Sequence, residues 1–121
     1  MISASVNKKD NNELIAAIRI GNELVTTDSM KLLEETLYKI EYEAYQTVPI
    51  KTGVLAASIR TNLSRNKLSG SVTARGGKRP YAAWVEYGTV KTPAQPFLVP
   101  AATKFMGEFF RGVSAIVRKR L

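Results

Sequence analysis

The run Met30 to Val48, MKLLEETLYKIEYEAYQTV, constrains the fold more than any other stretch of this chain. Leu33, Leu37, Ile40, Ala44 and Val48 recur every three or four residues, which places them on one stripe of an α-helix. Asp28 or Ser29 offers an N-cap side chain at its start. Pro49 ends it, because proline lacks an amide donor and restricts the residue before it. The opposite side carries Glu34, Glu35, Glu41 and Glu43, so one side packs on a core and the other presents four of the chain's ten acidic residues.

The flanking segments supply what that helix packs on. Ile2 to Val6 alternates apolar and polar residues as a short half-buried strand does. Glu13 to Ile20, ELIAAIRI, fits a short helix or a strand, and Gly21-Asn22 closes it. After Pro49, Thr52 is placed to cap a helical turn over Val54 to Ser58. Ile59 to Arg65 then reads as extended, and Ser69 to Arg75 as a second strand, joined by a hairpin connection within RNKLSG. Tyr81 to Tyr87 alternates imperfectly and is expected to be a packing strand and turn. Pro93, Pro96 and Pro100 punctuate an extended arm, and Pro100 suits the first turn of a last helix. That helix carries Phe105, Phe109, Val113, Ile116 and Val117, and ends in Arg118, Lys119 and Arg120. The expectation is one α+β domain over residues 1–121, with the long helix on a mainly antiparallel sheet and a C-terminal helix.

The chain has no cysteine and no histidine. Disulfides, thiolate nucleophiles, imidazole bases and the usual transition-metal ligands are therefore excluded, and no cofactor is expected. No stretch approaches the roughly 18 apolar residues of a membrane span. The opening MISASVNKKDNN lacks the pattern of a secretory signal, so a soluble chain made in a cytoplasm is expected. Net charge is +8, but unevenly placed. Met1 to Ile50 holds five basic against eight acidic residues, net −3, and Lys51 to Leu121 thirteen against two, net +11. Such a split suits a polyanionic partner or self-association of basic to acidic surfaces.

Several fragments imitate catalytic or phosphate motifs. Ser64-Arg-Asn-Lys67 and Lys51-Thr52-Gly53 match the S-x-x-K and K-T-G of penicillin-recognising enzymes, but in reversed order and in too short a chain. Gly76-Gly77-Lys78 is not a P-loop, since Val72 stands at the first glycine position and Arg79 follows the lysine. The loop from Arg75 to Pro80 is instead a basic, mobile tip, with Lys78 and Arg79 open to phosphate or to an acidic neighbour. Arg118 and Arg120 suit the negative end of a helix dipole.

The segment PYAAWVEYGT concentrates the only tryptophan, two tyrosines and Glu86. From Lys51 onward the only other acid is Glu108. An isolated acid among aromatics raises the question of a general acid. No partner acid, base or nucleophile stands nearby, so the expected role is structural: a carboxylate taking hydrogen bonds from turn amides or an arginine within its own subunit. Trp84 or Tyr87 is expected to pack against the long helix.

Three pieces in order carry a resemblance: Val48-Pro49-Ile50-Lys51-Thr52-Gly53-Val54-Leu55 with Ser58-Ile59; Tyr81-Ala82 with Val85-Glu86-Tyr87-Gly88-Thr89; and Gln95-Pro96-Phe97-Leu98 with Pro100-Ala101. Together, over about Val48 to Ala101, they resemble the gene-product-10-like family of tailed-bacteriophage head-tail junction proteins, called neck, tail-component or tail-completion proteins. Lys51 departs from the acidic residue common there, and Trp84 replaces a common tyrosine. The resemblance implies a non-enzymatic virion protein, made in the host cytoplasm. Copies surround the phage axis, most often as a homo-hexameric ring, between connector or head-closure proteins and the tail, leaving a channel for genomic DNA. The acidic helix, through Glu34 and Glu41, would then face the basic half of the next subunit, or Lys78, Arg79, Arg118 and Arg120 would face DNA. The rival readings are a small basic nucleic-acid-binding domain and a carboxylate enzyme centred on Glu86.

Overall fold

The computed structural model describes residues 3–8, 12–20, 27–49, 53–65 and 69–120. The elements run β1 (Ser3–Lys8), β2 (Leu14–Arg19), α1 (Thr27–Thr47), α2 (Val54–Ala57), β3 (Arg60–Ser64), β4 (Ser69–Ala74), α3 (Ala82–Tyr87) and α4 (Leu98–Arg120). The fold is α+β. The strands form one sheet in the order β1-β2-β4-β3, and all three pairings are antiparallel.

Alternation along each strand sets its two faces. Leu14, Ala16 and Ile18 of β2, and Val72 and Ala74 of β4, are fully buried on one face. The register pairs Leu14 with Ala74 and Ala16 with Val72, so the apolar rows of the two central strands lie side by side. ELIAAIRI is thus a strand, and its period-2 burial resolves the ambiguity of its sequence. β2 and β3 are each antiparallel to β4 and so run the same way, with α1 as the crossover between them. α1 covers the β3–β4 half of the buried face, and α4 covers the β1–β2 half. The stripe Leu33, Leu37, Ile40, Ala44 faces this core, and all four side chains are fully buried. Leu33, Leu37 and Ile40 each contribute on the order of 1.5–3 kcal/mol through apolar area removed from water, and Ala44 about 0.8 kcal/mol. Gly70 of β4 sits beneath Leu37, and a Cβ there would collide with that leucine's Cδ1. The strand thereby approaches the helix more closely than any side chain would allow.

α1 and α4 pack antiparallel. Lys104 near the start of α4 reaches Glu43 near the end of α1 (3.8 Å), and Gly112 farther along α4 lies against Leu32 near the start of α1. The helix layer therefore has two ends. At one, α1 finishes and α4 begins; at the other, α1 begins and α4 finishes.

Several expectations change. Residues 81–87 are not extended: Ala82, Ala83 and Glu86 point inward while Trp84 and Tyr87 point out, a spacing that only a helix produces. Trp84 and Tyr87 do not pack into the core and are about half exposed. Asp28 and Ser29 lie inside α1, Ser29 buried, because the helix starts at Thr27. The Thr52 cap falls outside the described residues; the residue before α2 is Gly53, at φ 79°, with no side-chain cap bond. Among the described residues, no helix is long and apolar enough to cross a membrane.

Candidate functional site

The first four amides of an α-helix have no partner within the helix. At the start of α4, Pro100 has no amide to satisfy, and the amides of Phe97, Leu98 and Val99 remain. All three donate to a single oxygen, Glu86 Oε1, at 3.3, 2.7 and 3.2 Å. Glu86 is 2% exposed. A carboxylate from α3 thus serves as the N-terminal cap of α4, twelve residues away from Leu98, in a position the helix dipole favours for negative charge. Glu86 Oε2 has no hydrogen-bonding partner among the described residues.

α3 is itself anchored on both sides. The Ala83 amide donates to the Asn12 carbonyl (3.0 Å), at the β1–β2 hairpin, and the Tyr81 and Ala82 amides donate to the Arg75 carbonyl (2.9 and 3.1 Å). Asn12 takes a positive φ of 65°, which asparagine tolerates better than most residues. After α3, Gly88 turns the chain at φ 80°, and a Cβ there would meet the Ala94 amide nitrogen at 2.8 Å. The following arm folds back on itself. The Thr89 amide donates to the Thr92 carbonyl (2.8 Å), Thr89 Oγ1 accepts from the Thr92 amide (3.1 Å), and the Gln95 amide donates to Val85 (2.8 Å).

The first of the three resembling segments meets the second here. Ser58 Oγ accepts from the Arg75 and Gly76 amides (3.1 and 2.9 Å) and donates to the Leu55 carbonyl (2.6 Å). The loop from Arg75 to Pro80, expected as a mobile tip, is hydrogen-bonded at its base. Gly76 bridges Pro80, and the Arg75 guanidinium binds Glu13 (2.7 Å) and the Gly77 and Lys78 carbonyls. Lys78 and Arg79 are left exposed at its tip.

Between α2, α3 and the arm lies a groove of about 510 Å³, lined by Pro49, Leu55, Tyr81, Trp84, Val85 and Pro93, with Lys91 and the threonines of the arm at its rim. Trp84 is 52% exposed, and Val90 at the arm's tip is fully exposed. Val54 and Tyr87, also exposed, add to the apolar surface of this end of the molecule. The sequence left the arm as a Pro-rich connector. The signal missed was Thr89-Val90-Lys91-Thr92 after Gly88, a tight turn that puts a β-branched apolar residue at its tip.

The remaining candidate residues scatter. Glu34 binds Arg65 (3.1 Å) and Glu43 faces Lys104, so two acids of the α1 face are matched by cations of their own chain, while Glu41 accepts from Thr61 Oγ1 (2.7 Å). Arg118 lies at the far end of α4, and the Arg120 side chain is outside the described residues. A 23-residue helix is about 34 Å long, so Arg118 and the Lys78–Arg79 tip do not form one basic patch. Pro96 is exposed on the arm, Phe97 is buried, and Pro100 sits in the first turn of α4 as expected. Phe109 is core, and Phe110 beside it is exposed. A second exposed apolar surface is the outer stripe of α1, Tyr38, Tyr42 and Tyr45. Among the described residues, no three or more histidine, cysteine, aspartate or glutamate side chains cluster as metal ligands would.

No family model matches the chain, and no curated protein or solved structure matches it significantly.

Proposed function

We propose that this protein is a structural component of a tailed-phage virion, assembling as a ring at the head-tail interface. It completes the neck or tail end against connector and tail proteins and leaves a channel for DNA. One observation carries the reading. The three separated segments that resemble the junction family converge on one end of the molecule. Ser58 of the first holds Arg75 and Gly76 beside Tyr81 of the second, and Glu86 of the second takes the amides of Phe97, Leu98 and Val99 in the third. The residues that carry the resemblance thus meet at one end of the molecule, which presents exposed apolar side chains outward. Glu86 caps α4 through Oε1 and is buried, which supports a structural over a catalytic role for it.

Sedimentation velocity over a concentration series tests the proposal. A discrete closed oligomer of several copies is expected. A chain that stays monomeric and binds duplex DNA with a steep salt dependence would replace this reading with that of a small nucleic-acid-binding domain.

A further inference from the structure

The groove between α2, α3 and the arm has an uncommon combination of linings. Its floor and walls are apolar, built from proline, leucine, valine, tyrosine and the half-exposed ring of Trp84. Its rim and surroundings are basic. Lys91 is at the edge of the groove. The tip carrying Lys78 and Arg79 stands beside α2, because a Cβ on Gly77 would lie 3.6 Å from Val54 Cγ1. The two acids of this end that the structure describes are both occupied: Glu13 binds Arg75, and Glu86 is buried under α4. A ligand entering here meets apolar surface inside and, among the described residues, positive charge without a free acid to oppose it outside.

Charge decides among the occupants. The arm of a second copy would bring Lys91 against Lys91. The α1 face of a second copy has Glu34 and Glu43 already matched by Arg65 and Lys104, sets Glu35 and Lys39 together among its tyrosines so that little net charge is left, and is a helix too broad to enter as an extended strand. Nucleic acid would satisfy the cations but leave the proline and valine walls against phosphate and sugar. A protein segment with acidic residues flanking one large apolar side chain satisfies both parts. The apolar residue fills the groove against Trp84, as aromatic anchors do at interface centres, and the flanking carboxylates lie toward Lys91 at the groove and toward Lys78 and Arg79 beside α2.

We infer that this groove receives an extended acidic segment of a neighbouring protein, anchored by one large apolar side chain. The inference rests on reading this end of the molecule as an assembly surface, and its test separates the two.

A random nonapeptide library without tryptophan is selected on the wild-type chain and counter-selected on Trp84→Ala. Enriched peptides are then titrated against the protein while the emission of Trp84, the only tryptophan in the chain, is followed. Enrichment of peptides with two or more acids around one aromatic or large aliphatic residue is expected. Lys91→Glu should weaken them about fivefold, and Lys78→Glu with Arg79→Glu about as much again, with both effects shrinking in high salt. Thermal melts of the same variants confirm that the fold is kept. The inference is overturned if nothing is enriched over Trp84→Ala, if enriched peptides lack acids, or if charge reversal leaves binding unchanged. It is equally overturned if a single-stranded oligonucleotide, or dilution of the protein alone, shifts Trp84 emission at lower concentrations than the peptides do. Sedimentation of the same preparations keeps the readings apart. A ring that enriches no acidic peptide removes only the inference, and a monomer that does enrich them removes only the ring.

Discussion

Three amides converge on one buried oxygen of Glu86, and replacing that side chain measures what the arrangement contributes. Glu86→Ala strands those amides and opens a cavity, and is expected to cost about 3 kcal/mol, a fall in melting temperature of about 12 °C. Glu86→Gln keeps an acceptor and loses the charge at the helix terminus, for about 1 kcal/mol. Equal losses in differential scanning calorimetry would contradict the capping role. Gly88→Ala combines an unfavourable φ with a backbone collision at Ala94, and should cost about 2 kcal/mol. Its signature is faster amide exchange from Thr89 to Gln95, with the sheet unaffected. Glu86 could be recognised in the sequence as a structural carboxylate because no second chemical group accompanies it. Its recipient could not, since the capped amides belong to a helix that begins only after an arm without regular structure. Nothing in the spacing of the residues says that the arm returns.

At the scale of elements, the two glycines of α4 make a controlled comparison. A Cβ on Gly107 meets only the end of the Arg111 side chain at 3.6 Å, so Gly107→Ala should stabilise the protein by about 0.7 kcal/mol through helix propensity. At Gly112 the same Cβ comes within 2.6 Å of Leu32 Cδ2, so Gly112→Ala must displace the α1 contact and gains less, or loses. Chemical denaturation of the two variants checks the order. The long helices and the β3–β4 hairpin are legible in sequence because one period dominates each over many residues. α3 is not, because in six residues helical and alternating spacings are hard to separate, and tyrosine, tryptophan and valine favour strands. Its helical state comes from tertiary ties, to Asn12, Arg75 and the start of α4, that outweigh local preference.

At the scale of the whole molecule, the split between an acidic first half and a basic second half is partly resolved inside the chain, where α1 takes up Arg65 and Lys104. What remains outward-facing at the groove end is basic and apolar together, with Trp84, Tyr87, Val90 and Val54 exposed around Lys78, Arg79 and Lys91. Charge counting along the chain is blind to this, since it records where charges occur and not which ones meet. Three short motifs in order marked these segments in the sequence as structural; that they enclose a groove depends on the arm and on α3, the two segments whose form the sequence did not disclose. An exposed tryptophan beside cations that have no acidic partner among the described residues is a surface suited to a partner, and Trp84→Ala should leave the melting temperature within about 2 °C while weakening capture of the acidic peptides. The central claim is that copies of this chain close into a ring around a channel. Negative-stain electron microscopy of the purified protein, averaged without imposed symmetry, tests it most directly. The account predicts rotationally symmetric annuli with a central opening, and a field of single subunits or open filaments would contradict it.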